Sequence, residues 1–269
     1  MSANQELFEL KFYKWEKEFK DKPYLRQPIG ETWEEYTWGE VGDMARRLAS
    51  GLKSLNLREG AHIGIYSKNC REWIISDLAI VMAGYVSVPF FPSLNGKELS
   101  YIMDYGDVDA LFIGKIETWD DIKDDLPNEI PIIRFPKYEG CSNVTKGYKW
   151  HEFINSNEPI ENPHQPKLSD LWTIIFTSGT TGNPKGVMLT YQAIDGIKVV
   201  LDDPNNPLGI KHTGNNDFIS YLPLNHIFER VVIEWCSFRY GGTISFVESI
   251  ETFGPVSYTH LRAHETCHN

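Results

Sequence analysis

Apolar residues recur at helical spacing in the first part of the chain. Residues 5–20 place a stripe of large apolar side chains on one face and are followed by Pro23, a pattern that predicts an amphipathic helix. That stripe is Phe8, Phe12, Trp15 and Phe19. Residues 36–57 repeat the pattern and are closed by Gly60. The second stripe is Val41, Ala45, Leu48, Leu52 and Leu55.

Short apolar runs then alternate with helical patterns. The predicted order is strand 61–67, helix 71–85, strand 86–91, helix 96–107 and strand 110–114. Strands that alternate with helices indicate crossover units, so we predict an α/β fold with mostly parallel sheets flanked by helices on both faces.

Residues 114–168 are rich in Pro, Asn, Asp and Lys and predict a loop-rich connection. Residues 171–176 are apolar on both faces, as expected for a central strand, and strands are also predicted at 187–190, 217–224 and 243–247. We divide the chain into a first α/β subdomain, 1–168, and a second α/β segment, 169–255.

Two helices are predicted in the second segment. The first has Thr190 as its N-cap, and the second begins near His226 and stops at Gly241 and Gly242. The buried face of the first is Ala193, Ile194, Ile197 and Leu201. The buried face of the second is Ile227, Val231, Trp235 and Phe238.

Residues 256–269 differ in character from the rest, since they hold three of the eight histidines and continue no apolar periodicity. The string "VSYTHLRAHET" resembles the conceptual translation of a sequencing-library adapter, and a natural disordered tail is the alternative. We expect this tail to be non-native and the chain to be the front half of a longer protein.

Charge, cysteine usage and hydropathy disfavour several functional classes. The formal charge of −11 disfavours a nucleic-acid partner, which needs a basic face. Four scattered cysteines without CxxC spacing favour neither a zinc site nor a disulfide framework, and they fit a reducing cytoplasm. The apolar run 73–91 is interrupted by Asp77, Gly84 and Pro89, so it predicts a core helix and strand instead of a membrane span.

The richest chemistry lies in "IIFTSGTTGNPKGVML", residues 174–189. Its glycines leave backbone N–H groups unobstructed, its four hydroxyls donate hydrogen bonds, and Lys185 adds a compact positive charge. A polyphosphate suits such a loop because its charge is spread over many oxygens. A surface turn between hairpin strands is the alternative interpretation.

The loop differs from two better-known phosphate loops. A Walker loop needs Gly-Lys followed by Ser or Thr, whereas Lys185 stands between Pro184 and Gly186. The dinucleotide turn GxGxxG is also excluded, because the glycines are at positions 179, 182 and 186.

"TSGTTGNPKG" resembles the signature loop of the adenylate-forming superfamily, which includes acyl-CoA synthetases, adenylation domains of peptide synthetases and luciferase-like ligases. "YLPLNHIFER", residues 221–230, is similar to the long-chain fatty acyl-CoA synthetase branch, and residues 69–95 resemble an early helix-strand unit of the family. The resemblance covers residues 35–250. Without it, His226 is only a histidine at a helix start, for which a structural role is the simpler interpretation.

The resemblance implies an acid-thiol ligase that uses ATP, Mg²⁺ and coenzyme A to convert a fatty acid, through an acyl-adenylate, to a thioester. It assigns His226 to the acyl-adenylate pocket, so the candidate catalytic residues are Lys185 and His226, and the candidate metal ligand is Thr177. The candidate phosphate-binding residues are Thr177, Ser178, Gly179, Thr180, Thr181, Gly182 and Lys185.

Later motifs of the family are absent from the 269 residues: the downstream glutamate, the ribose-binding aspartate, the hinge and the small domain with its lysine. We therefore expect this chain to bind ATP weakly without turning over. Alternatives are adenylation of an amino or aryl acid, or a catalytically silent ATP-binding protein. Long-chain substrates would also favour peripheral contact with the inner face of a membrane.

Overall fold

A computed structural model describes residues 8–30, 32–177, 184–203 and 205–247. The strands within these residues are β1 (Pro23–Ile29), β2 (Thr32–Thr37), β3 (His62–Ser67), β4 (Val86–Phe90), β5 (Val108–Gly114), β6 (Ile132–Arg134), β7 (Tyr148–Lys149), β8 (Leu171–Thr177), β9 (Lys185–Thr190), β10 (Asp217–Ser220) and β11 (Thr243–Phe246).

Helices connect most of these strands. They are α1 (Phe8–Glu18), α2 (Trp38–Ser54), α3 (Arg71–Ala83), α4 (Gly96–Tyr105), α5 (Trp119–Ile122), α6 (Trp150–Asn155), α7 (Tyr191–Asp195), α8 (Lys198–Leu201), α9 (Ile227–Glu229) and α10 (Cys236–Tyr240), with a π-helical stretch at Arg230–Trp235. The predicted alternation of helices and strands is confirmed.

The strands form two sheets. The larger has the order β7-β6-β5-β3-β4-β8-β9, and the smaller has the order β10-β11-β1-β2. Neighbours pair in parallel except β8 with β9 and β1 with β2, which are antiparallel. The predicted α/β fold with mostly parallel sheets is therefore confirmed.

Helix α3 lies in the interior between the sheets. It contacts β3 and β4 of the larger sheet, β1 of the smaller sheet and the helix α2. All of its residues are consequently buried, which explains why its sequence is apolar nearly all round. Within the part of the chain that the structure describes, no helix is long and apolar enough to cross a membrane.

Residues 114–168 contain more regular structure than the sequence predicts. β6 pairs with β5, β7 pairs with β6, and two short helices flank them. Strands of two or three residues are too short to produce a periodic pattern, which is why the sequence indicated only a connection.

The predicted helix after Thr190 begins where predicted and buries Ile194 and Leu201, but it is not continuous. Two short helices, α7 and α8, replace it, with a break at Gly196 between them. Ala193 is exposed, and the Thr190 side chain makes no capping hydrogen bond. Glycine is a poor helix former, which explains the break.

The helix predicted from His226 is confirmed in position, although it contains a π-helical stretch. It ends before Gly241, whose φ of 70° lies in the left-handed region that glycine tolerates.

The smaller sheet combines β1 and β2 with β10 and β11, so strands from either side of residue 168 share one sheet. The domain boundary at 168 stays a prediction, and the tail 256–269 lies outside the described residues.

Candidate functional site

The candidate site lies at the carboxyl edge of the larger sheet. Because β3, β4, β5 and β8 run parallel, their carboxyl ends at Ser67, Phe90, Gly114 and Thr177 meet the same edge. Open α/β sheets bind their ligands outside this edge. The hydroxyl-rich loop begins there, directly after Thr177.

The two described ends of that loop face each other. Thr177 and Lys185 are partners in the antiparallel pair of β8 and β9, and both are exposed. The other predicted phosphate-binding residues, Ser178, Gly179, Thr180, Thr181 and Gly182, lie outside the described residues. The antiparallel pairing of β8 and β9 agrees with both interpretations of the loop, a phosphate-binding loop and a surface turn. Only the chemistry of the two ends can distinguish them. A hydroxyl and an ammonium group on one exposed edge suit an anion.

His226 lies on a second element, which we call the His226 wall, and the hairpin of β8 and β9 with Thr177 and Lys185 is the hairpin wall. It is the N-cap of α9, its side chain is exposed, and its Nδ1 accepts a hydrogen bond from the backbone N–H of Phe228 at 3.2 Å. A neutral imidazole that accepts at Nδ1 carries its proton on Nε2. The ring thus presents an N–H donor. The structure describes no hydrogen bond between His226 and either Thr177 or Lys185.

Arg230 connects the two walls. Its side chain is fully buried and donates to the Thr173 hydroxyl oxygen on β8 at 2.7 Å. Its guanidinium also lies 4.0 Å from the centre of a Trp172 ring. The helical segment that His226 opens is therefore fixed to the strand that carries Thr177.

Two acidic side chains compensate the Arg230 charge. The guanidinium donates to Asp77 at 2.6 Å and to Glu234 at 3.0 Å, and both carboxyls are buried. Burial, together with the charge of Asp77, raises the pKa of Glu234 well above its usual value. Burial therefore favours the neutral form of the Glu234 carboxyl beside the Arg230 guanidinium.

Glu229 is a further buried acid beside His226. Its carboxylate oxygen accepts the backbone N–H of Tyr221 at 2.9 Å. Burial raises the pKa of Glu229 to about 7, while hydrogen bonds from the Ser220 hydroxyl and the Tyr221 and Leu222 backbone act in the opposite direction. The carboxyl holds the backbone between β10 and α9.

A crevice of about 150 Å³ opens where the carboxyl ends of both sheets meet. It is lined by Ser67, Lys68, Asn69, Pro92, Lys115, Tyr221, Pro223, Asn225 and Val247. The Lys115 ammonium donates to the Asn69 carbonyl oxygen at 2.9 Å, and Lys68 pairs with Glu117. Lys115 thus places an ammonium group at this edge, while the Lys68 charge is paired with a carboxylate.

The described part of the chain contains no preformed cluster of metal ligands. Within it, no group of three or more His, Cys, Asp and Glu side chains is arranged to hold a metal ion. A magnesium ion that is bound mainly through substrate phosphates needs only one or two protein oxygens. The exposed Thr177 hydroxyl fits that smaller requirement.

Sequence reasoning missed three residues that organise the site. Glu229 and Arg230 stand in the quoted stretch "HIFER". The role of Arg230 depends on partners that are distant in sequence, and that of Glu229 depends on its burial and its bonds to residues 220–222. Asn69 stands at the start of a segment that we interpreted as architecture, and its side chain contacts residues 220–224. No local pattern distinguishes it from a surface asparagine.

Comparison with known proteins gives three findings. A sequence model of the family described as "AMP-binding enzyme" matches residues 12–266. Long chain acyl-CoA synthetase 4 of Arabidopsis thaliana is 33% identical over 230 residues, which cover 78% of this chain and 33% of that protein. A long-chain-fatty-acid CoA ligase of Rattus norvegicus is 27% identical over 251 residues, covering 88% and 37%.

Solved structures share the fold. A long-chain-fatty-acid-CoA ligase of Archaeoglobus fulgidus superposes with a TM-score of 0.76 at 17% identity, covering 97% of this chain and 51% of that one. The anthranilate CoA ligase AuaEII superposes with a TM-score of 0.75 at 19% identity, covering 93% and 47%. The chain spans about a third of the length of the curated relatives it matches.

Proposed function

The chain belongs to the AMP-binding enzyme family, and from this premise we propose that it contributes the phosphate-binding part of an acid-thiol ligase. The reaction joins a fatty acid to coenzyme A through an acyl-adenylate formed from ATP. The observation that carries the proposal is the position of Thr177 and Lys185, exposed and paired at the carboxyl edge of a parallel sheet.

A fatty acid is the substrate that the relatives favour. The Arabidopsis thaliana protein with 33% identity is named a long chain acyl-CoA synthetase, and the rat protein is named a long-chain-fatty-acid CoA ligase. Fold likeness at 17–19% identity does not separate fatty from aryl acids, since an anthranilate ligase superposes equally well. Amino- or aryl-acid adenylation and silent nucleotide binding stay the alternatives.

In the proposed mechanism, the loop binds and orients the phosphates. Residues 178–182 donate from backbone and hydroxyl groups, and the Lys185 ammonium neutralises charge at the far end of the loop. His226 offers its Nε2–H to an oxygen of the acyl-adenylate, which needs no proton transfer. Both contributions are positioning and electrostatic stabilisation, the main requirements of phosphoryl-group chemistry.

Magnesium and coenzyme A complete the proposal. Mg²⁺, when bound, would neutralise phosphate charge, with the Thr177 hydroxyl as one ligand. Coenzyme A would accept the acyl group as a co-substrate. A cytoplasmic location and peripheral contact with a membrane stay predictions.

Nucleotide binding by the 269-residue chain tests the loop assignment. The affinity for MgATP, measured by calorimetry or with a fluorescent ATP analogue, should fall at least about tenfold in Lys185→Ala, because a charge-assisted hydrogen bond is lost. Lys137→Ala is the matched control, since Lys137 is exposed and follows β6, four positions away from β8 in the sheet. Equal affinities of wild type, Lys185→Ala and Lys137→Ala would refute the phosphate role of the loop.

Turnover is a separate question. ATP-dependent hydroxamate formation should be detectable with a fatty acid in a polypeptide that contains the downstream motifs, and absent with the 269 residues alone. Hydroxamate formation by the 269 residues would contradict our expectation that they are inactive. A preference for benzoate or anthranilate over a fatty acid would favour the aryl-acid alternative.

A further inference from the structure

The backbone that leads into His226 has little regular structure of its own. We call residues 220–226, between the last residue of β10 and the start of α9, the corner segment. Tyr221 and Pro223 in it are exposed, and its internal backbone bond runs from the His226 N–H to the Pro223 carbonyl at 2.9 Å. Other parts of the protein must therefore hold it in one conformation.

Asn69 holds the corner segment from one side. The Asn69 amide nitrogen donates to the Leu222 carbonyl at 2.6 Å and to the Ser220 hydroxyl at 2.8 Å. Its amide oxygen accepts the Leu224 N–H at 2.9 Å. One side chain thus bonds every second residue of the segment from Ser220 to Leu224. Asn69 itself is anchored between β3 and α3, where its carbonyl accepts the Lys115 ammonium.

Glu229 holds the same segment from within α9. It is 1% exposed, and its carboxylate accepts the Tyr221 N–H at 2.9 Å together with bonds from the Ser220 hydroxyl and the Leu222 backbone. Arg230, the next residue, is fixed to β8 through Thr173. The carboxylate therefore acts from a part of the chain that is itself immobilised.

The two side chains meet at Ser220, whose hydroxyl accepts from the Asn69 amide and donates to the Glu229 carboxyl. We propose that Asn69 and Glu229 are positioning residues that clamp the corner segment from two sides and so set the position of the His226 ring. The inference rests on the proposed function for its consequence in ligand binding, while the clamp itself has readouts that need no ligand.

Nuclear magnetic resonance on the labelled 269-residue chain tests the clamp directly. In Asn69→Ala and Glu229→Ala, hydrogen exchange of the Leu224 and Tyr221 amides, respectively, should accelerate at least about tenfold. The His226 ring signals should shift from their wild-type positions, because the backbone that leads into the ring is no longer held in one place. Glu229→Gln keeps an oxygen acceptor and should restore both readouts to near wild type.

Asn206→Ala is the matched control. Asn206 also bonds backbone groups through its side chain, at the Asp203 and Ile210 carbonyls and the Ile210 N–H, but it does so in another loop. It should lower stability without altering the His226 signals. If Asn69→Ala does not fold, Asn69→Asp replaces it, since Asp keeps the acceptor for the Leu224 N–H and loses both donors.

Binding of a dodecanoyl-sulfamoyl-adenosine, a stable mimic of the acyl-adenylate, separates the clamp from the proposed function. We expect Asn69→Ala, Glu229→Ala and His226→Ala each to weaken binding at least fivefold, with Asn206→Ala unchanged. Unchanged His226 ring signals in the Asn69 and Glu229 variants would overturn the clamp, even if the amides exchange faster. Altered ring signals with full binding by all variants, His226→Ala included, would support the clamp and overturn the proposed role of His226.

Discussion

The two walls of the candidate site are built in different ways. The His226 wall is held by polar side chains. The partly buried Asn69 and the buried Arg230 bond groups from distant parts of the chain, and the buried Glu229 bonds the backbone of the segment just before it. The hairpin wall is held by backbone pairing, and β9 is exposed at its first four positions, from Lys185 to Met188. Side-chain networks therefore fix one wall, whereas the other presents its chemistry on an open strand.

This difference has a consequence for stability. Buried hydrogen-bonded charges are costly to disturb, because each remaining partner is left without compensation in a low-dielectric interior. An exposed strand residue is solvated before and after substitution, so replacing it changes the free energy of unfolding little. Mutations on the His226 wall should therefore affect folding, and mutations on the hairpin wall should affect ligand binding with little effect on folding.

Removing the Arg230 charge should have the largest effect. Arg230→Met leaves the buried Asp77 carboxylate uncompensated, and we expect a loss of about 3–5 kcal/mol in the free energy of unfolding. Urea denaturation measures it. Lys123→Met is the control, because Lys123 pairs with Asp120 at the surface, where loss of the pair should change stability little. Similar losses in the two variants would remove the distinction between the walls.

Glu229→Gln should change how stability depends on pH. Because the pKa of Glu229 is raised from 4.5 to about 7 in the folded protein, the folded state binds this proton more tightly than the unfolded chain. The stabilisation that follows is fully present below about pH 4.5 and is lost as pH rises through about 7.

Wild type should therefore lose about 3 kcal/mol relative to Glu229→Gln across that window. Denaturation at a series of pH values, with the exposed Glu59→Gln as control, measures the difference. A wild-type profile parallel to that of Glu229→Gln would mean that this carboxyl titrates alike in the folded and unfolded chains.

The smallest effect is expected on the hairpin wall. Met188 is 65% exposed on β9, so Met188→Gln should change the free energy of unfolding by less than about 0.5 kcal/mol. Met103→Gln is the counterpart, since Met103 is 1% exposed in the core and a buried amide should cost at least about 2 kcal/mol. A large loss in Met188→Gln would show that β9 is packed against something the pairing alone does not reveal.

Much of the fold was predictable from local pattern. The alternation of strands and helices from residue 61 to 114 and the end of a helix at Gly241 follow from periodicity and from glycine. The break at Gly196 was missed because apolar residues on both sides continue a helical period. The strands β6 and β7 were missed because only pairing defines them, β6 to β5 and β7 to β6.

The candidate site divides in the same way. The hydroxyl-rich loop was recognisable because its residues are contiguous, and their composition already indicates an anion. The clamp was not, because Asn69 and Leu224 are far apart in the chain and neither belongs to a pattern. Arg230 likewise looks like a surface charge until Asp77 and Thr173 are placed beside it.

By itself, the amino-acid sequence determined the alternation of strands and helices from residue 61 to 114 and the α/β class, and it predicted the hydroxyl-rich loop as a phosphate site, since each depends on residues within a few positions of one another. Tertiary structure alone decided that Thr177 and Lys185 face each other, that Arg230 is buried, and that Asn69 and Glu229 meet at Ser220. The physical reason is that burial and hydrogen-bond partnership are properties of the folded chain, and the same polar side chain is a solvated charge or a structural anchor according to what packs around it.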